Sequence, residues 1–117
     1  MSVLSRRRGQ AAAALAVAEP AAAPPTGCVP IAEVAWRHRA RVHGRVRSVR
    51  VQPWGGVPTL ECRLVDESGG LIVVFLGRRA VAGIEPGRHV IADGMVGAHH
   101  GRLAMINPDY ELRATGE

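Results

Sequence analysis

The feature that most restricts this chain is a period-two alternation of apolar side chains, cut into short runs by turn residues. Ala40, Val42, Gly44 and Val46 alternate with Arg39, Arg41, His43, Arg45 and Arg47. Neighbouring side chains on a strand point to opposite faces, so this run predicts a half-buried strand with a basic outer face. After Arg47 the apolar positions become Val49 and Val51, and the parity flips. One extra residue near Arg47-Ser48 does this, which is what a β-bulge contributes. Gln52-Pro53-Trp54-Gly55-Gly56-Val57-Pro58 is turn chemistry from end to end.

Leu60, Cys62 and Leu64 alternate with Glu61 and Arg63 in a second strand. Asp66 to Gly70 closes a hairpin onto a third, Leu71 to Leu76, which is apolar on both faces. Gly77 to Gly87 reads as a connector, with a helical turn expected over Arg78 to Ala82. A fourth strand is predicted from Arg88 to Val96. His99-His100-Gly101 then turns into a fifth, from Arg102 to Asn107. Pro108 limits ladder pairing, so Tyr110-Glu111-Leu112 reads as an edge or tail segment. Ahead of the strands, Pro30 to Trp36 predicts a helical turn that plugs one end, with Trp36 capping the core.

Five short strands with one longer connector after the third predict an all-β fold closed into a barrel, because closure removes exposed edges. Val42-His43-Gly44-Arg45-Val46 is echoed by Ala92-Asp93-Gly94-Met95-Val96. In both runs the glycine falls where a Cβ would obstruct a strongly coiled strand.

A chain of 117 residues has room for one such domain. Residues 1–27 are Ala, Pro and Arg with almost no large apolar side chain, and predict a disordered tail. The domain is expected over 28–113, with 114–117 as a short C-terminal tail. Arg6-Arg7-Arg8 before Ala11 to Ala18 imitates a signal peptide. The apolar stretch is short and broken at Glu19-Pro20, and Pro24-Pro25 spoil a lipoprotein site before Cys28. No apolar run could span a membrane, so the expected location is cytoplasmic. Cys28 and Cys62 are then expected as free thiols, with a disulfide between them as the alternative.

The formal net charge is +5, and all 15 basic residues are Arg. Guanidinium forks onto phosphates and stacks on flat rings, so the composition permits a polyanionic partner. No acidic residue lies between Glu33 and Glu61, whereas Arg37, Arg39, Arg41, Arg45, Arg47 and Arg50 all do. No nucleophile has a base and an orienting acid beside it, and no phosphate-cradling glycine loop occurs. The chain is therefore read as a non-enzyme without a cofactor. His99-His100 is read as a pair of turn residues rather than a metal site. Adjacent strand residues face opposite ways, and no Cys or carboxylate cluster supports them.

Several runs look familiar together: Ile31-Ala32-Glu33-Val34, Arg41 to Val46, Leu71 to Phe75 and Gly94-Met95-Val96. They resemble the OB-fold nucleic-acid-binding domains of the tRNA-anticodon-binding type. Ile106-Asn107-Pro108-Asp109-Tyr110-Glu111-Leu112 is similar to the end of the OB wedge domain in bacterial branch-migrating helicases. Gly77-Arg78-Arg79, Gly83 to Gly87 and Asn107-Pro108 are similar to small stand-alone actinobacterial OB-fold proteins. The resemblance covers 28–113 and implies a five-stranded OB-type Greek-key barrel. No helicase or synthetase catalytic domain is expected beside it.

OB proteins bind oligonucleotides across the face of strands two and three, between the loops joining strands one to two and four to five. The expected function is non-enzymatic binding of single-stranded DNA or RNA, largely without sequence preference. Arg41, Arg45, Arg47 and Arg63 are the predicted phosphate contacts, Trp54 a stacking platform, and His100 and Arg102 the closing loop. Phe75 is a second candidate platform, although a strand apolar on both faces does not say which way it points. The alternative is a protein-interaction module in which Leu71 to Leu76 offers an apolar strand face to a partner.

Overall fold

The structure, a computed structural model, describes residues 27–114. The expectations for the tail, including Arg6 to Arg8, lie outside the described residues, as does the end beyond Ala114. The elements are a 3-10 turn at Ile31–Glu33 and six strands. These are β1 (Arg39–Trp54), β2 (Val57–Val65), β3 (Gly70–Leu76), β4 (His89–His99), β5 (Arg102–Ile106) and β6 (Asp109–Arg113). The fold is all-β.

Strands β1, β2, β3, β5 and β4 pair in that order, and β1 pairs with β4 to close a ring of five. The ring is irregular. Its weakest seam is β3 against β5, a parallel contact of only Ile72–Ala104, Val73–Met105 and Val74–Ile106. Inside lie Val42, Val46, Leu60, Cys62, Leu64, Leu71, Val73, Val90, Val96 and Met105, each at most 3% exposed. In β1, β2 and β4 these are the inward members of the alternations, and pairing with β2 selects Leu71 and Val73 on the doubly apolar β3.

One strand serves two neighbours because it bends. Residues Arg39–Arg45 of β1 pair with β4, and Arg45–Trp54 pair with β2. Val46 faces Leu64 and Ser48 faces Arg63, leaving Arg47 as the extra residue of a bulge. Gly44 sits at this bend. A Cβ there would lie 2.7 Å from the Val65 carbonyl oxygen, closer than carbon can approach. At Gly94 a Cβ would meet Pro108 at 3.2 Å, a milder obstruction.

Both hairpins flanking the candidate site are two-residue turns with positive φ at both positions. Gly55 and Gly56 have φ of 61° and 81°, and His100 and Gly101 have 53° and 78°. Such turns match the right-handed twist of the strands they join. The first turn is tighter than the sequence suggested, because Pro53 and Pro58 face each other within the β1–β2 ladder. Pro53 is tolerated there because this half of β1 does not pair with β4.

Four further expectations change. Tyr110 to Leu112 belongs to a sixth strand, in which Asp109–Arg113 pairs antiparallel with Asp93–His89. Pro108 removes no ladder bond, since it lies in the bend before β6, where Asn107 (φ 52°) donates its N–H to the Val74 carbonyl. No helical turn forms at Arg78 to Ala82. The turn at Pro30 shrinks to Ile31–Glu33, whose leading N–H groups donate to Asp66 Oδ2 and Ser68 Oγ (both 2.9 Å). Ile31 still joins the core at 2% exposure. Trp36, however, does not cap it; the indole is 55% exposed with the Arg37 guanidinium 4.5 Å above its ring.

Both cysteines are free, Cys62 being buried and Cys28 half-buried. No helix among the described residues is long and apolar enough to cross a membrane.

Candidate functional site

The bulge at Arg47 decides what the outer face of the ring carries. Past it, Val49 packs against the core and the intervening side chains of β1 turn outward over β2. Ser48 comes opposite Arg63, and Arg50 opposite Glu61. On this face opens a groove of about 410 Å³, lined by Ser48, Arg50, Glu61, Cys62, Arg63, Ile72, His99, His100 and Arg102. The β4–β5 turn supplies the last three, and the end of the β1–β2 hairpin meets it there. The Trp54 ring stands edge-on to the His99 ring at 4.5 Å and 87°.

The floor of the groove is polar and buried. Glu61 is 7% exposed and His99 3%. Glu61 Oε1 accepts from Arg50 Nε at 3.1 Å, and Oε2 accepts from His99 Nε2 at 2.8 Å. Burial alone would raise the Glu61 carboxyl, but the hydrogen bonds from His99 and Arg50 more than offset it and hold it below its ordinary value. The carboxylate is thus consumed internally, which leaves the rim cationic. Arg63 and Arg102 make no ion pair among the described residues. The Arg63 guanidinium lies over Gly70, where a Cβ would come within 3.3 Å of Nη2. Cys62 offers no nucleophile at neutral pH, because burial pushes its thiol up to about 12.

Of the predicted contacts, Arg63, His100 and Arg102 line the groove together, and Trp54 stands at its edge through His99. Arg45 and Arg47 are exposed on β1 outside the groove lining, without ion pairs among the described residues. Arg41 is a different case. Its guanidinium lies 3.4 Å from Asp93 and 3.5 Å from Glu111, so acids from β4 and β6 already neutralise it. Asp93 also pairs with Arg39 at 3.1 Å. The arginine stripe read from β1 is therefore split: Arg39 and Arg41 are paired against β4, Arg45 and Arg47 stay open around the bend, and Arg50 is paired with Glu61.

Phe75 is not a stacking platform. It is 5% exposed within the core, its ring edge-on to Tyr110 at 5.6 Å. Its strand is interior to the sheet, paired with β2 on one side and β5 on the other. Burial limits how much of that strand's apolar face is accessible. Leu71, Val73 and Val74 are buried, and only Ile72 and Leu76 are half-buried.

Sequence reasoning missed Arg50, Glu61 and His99. The parity flip at Arg47 already turns Arg50 outward opposite the second strand, so that residue was legible. The pairing of Glu61 with His99 was not, since the two are joined only by ring closure. Nor was the approach of the two histidines. Positive φ at His100 takes it off the strand and brings its ring to 4.2 Å from that of His99.

No family model matches this chain, and no curated protein matches it.

Proposed function

We propose that the chain is a non-enzymatic, cytoplasmic single-stranded nucleic-acid-binding protein whose five-stranded ring is an OB-type barrel. The observation that carries this reading is the groove over β2 and β3, with the unpaired Arg63 and Arg102 and His100 around it. Its one carboxylate is held internally by Arg50 and His99. Guanidinium groups spaced along an open groove suit a phosphate backbone. The ring order, with two hairpin turns at the groove, supports the OB reading, as does the resemblance to small actinobacterial proteins of that fold.

The binding mode follows from what the groove lacks. Phe75 is interior, and Trp54 spends one edge of contact on His99, so stacking contributes little. Each well-stacked base is worth about 1–3 kcal/mol. Affinity therefore rests mainly on phosphate contacts, which carry no sequence information.

A labelled single-stranded oligonucleotide followed by fluorescence anisotropy tests this. The double variant Arg63→Ala/Arg102→Ala is expected to lose most of the binding. Arg39→Ala/Arg41→Ala is expected to keep it, because those side chains are already paired with Asp93 and Glu111. Equal losses from both variants would reduce the interaction to general positive charge and reject the groove.

A further inference from the structure

Glu61, His99 and His100 converge at one end of the groove. Each offers one donor atom, and the three atoms lie within 4.8 Å of one another. We propose that this cluster binds a divalent transition-metal ion of the zinc class, through a Glu61 carboxylate oxygen and one nitrogen of each imidazole.

The donor set is the first argument. Two imidazoles and a carboxylate hold zinc-like ions with one coordination position left open, whereas calcium and magnesium demand oxygen ligands. The second argument is that the two inner donors are already fixed in place. His99 is 3% exposed and Glu61 7%, and they hold one another at 2.8 Å. Glu61 divides its two oxygens suitably. Oε1 is tied to Arg50, while Oε2 faces His99 at 2.8 Å, a separation ordinary for two ligands of one metal. The Trp54 ring packed on His99 limits how far that imidazole can move.

The ion takes the place of the proton on His99 Nε2. That proton moves to Nδ1, so the imidazole stays neutral, and the Nε2 and Glu61 Oε2 lone pairs pass to the ion. No redox partner is required. Arg50 opposes the ion, since its guanidinium competes for the same carboxylate and repels a second cation. The sign of its effect therefore separates a metal site from a purely structural cluster.

This reading stands apart from nucleic-acid binding, and it is tested with the metal alone. Titrating the full chain with Co²⁺ is expected to give a saturable visible absorption at one ion per chain. His100 is exposed and can be removed without opening the core. His100→Ala is expected to weaken binding by about tenfold or more, as loss of a ligand should cost at least what loss of its supporting partner does. Arg50→Ala is expected to tighten it. Removing the other histidine pair, His43→Ala/His89→Ala, is expected to leave it unchanged. No saturable absorption with the wild-type chain, or a signal unaltered by His100→Ala, overturns the proposal.

Discussion

Gly44 lets β1 turn from β4 to β2, because nothing can project at that point. A Cβ would strike the Val65 carbonyl oxygen and the Leu64 side chain at 2.7 and 2.8 Å. The backbone oxygen cannot move aside without breaking the β1–β2 ladder. Gly44→Ala is therefore expected to destabilise the protein by about 1–3 kcal/mol, the usual cost of overpacking, read as a lower urea midpoint. An unchanged midpoint would mean the bend tolerates a side chain. This residue was legible in the sequence, where a glycine stands between Val42 and Val46 in the inward row. Arg41 shows the opposite case. Alternation placed it outside correctly, but its charge is cancelled by Asp93 and Glu111, which approach from strands some 50 and 70 positions away in the chain. Local pattern fixes the direction of a side chain, and tertiary pairing fixes what remains available to a ligand.

At the scale of elements, the bulge at Arg47 joins two registers. Upstream the apolar residues Val42 and Val46 face in, and downstream Val49 does. Since side chains alternate with period two, deleting Arg47 leaves Val46 and Val49 facing in and Ser48 and Arg50 facing out, and removes only the extra twist the bulge adds where β1 passes from β4 to β2. Deletion of Arg47 is expected to lower stability by straightening that bend, whereas Arg47→Ala, which keeps the spacing, is expected to shift it by under about 0.5 kcal/mol. Thermal unfolding followed by circular dichroism separates the two, and equal behaviour would contradict the bulge's role. The flip in parity is visible in the sequence. Strand β6 was not, because Pro108 obscures the start of a ladder whose partner, β4, already pairs with β1 through the same residues. A short charged strand added at an edge leaves only a weak periodic trace.

For the whole molecule, the ring has a second polar cluster on the β1–β4 side, away from the groove lining. His43 and His89 stack with ring centroids 5.5 Å apart, and His43 Nε2 and His89 Nδ1 are buried without hydrogen-bond partners. Burial, and then the charges of His89 and Arg113, push His43 below its ordinary value. The folded state thus refuses a proton that the unfolded chain accepts near pH 6.5. The neutral form's contribution is complete above pH 6.5 and is lost as the pH falls through the lower folded value. The melting temperature is expected to drop between pH 7.5 and 5, and His43→Gln to flatten that drop. Identical pH profiles for the two proteins would contradict this. Neither histidine stood out in the sequence, since only the closure of β1 onto β4 brings them together.

The central claim is that Arg63 and Arg102 hold a nucleic-acid backbone in the groove over β2 and β3. The most direct measurement is the slope of log K against log salt for a single-stranded oligonucleotide, with wild type and Arg63→Ala side by side. Each phosphate neutralised contributes about 0.7 to that slope for a single strand. Wild type is expected to bind with a slope of about 1.4 from the two unpaired groove arginines, and Arg63→Ala with a slope smaller by about 0.7. A slope that Arg63→Ala leaves unchanged, or binding indifferent to salt, would contradict the account.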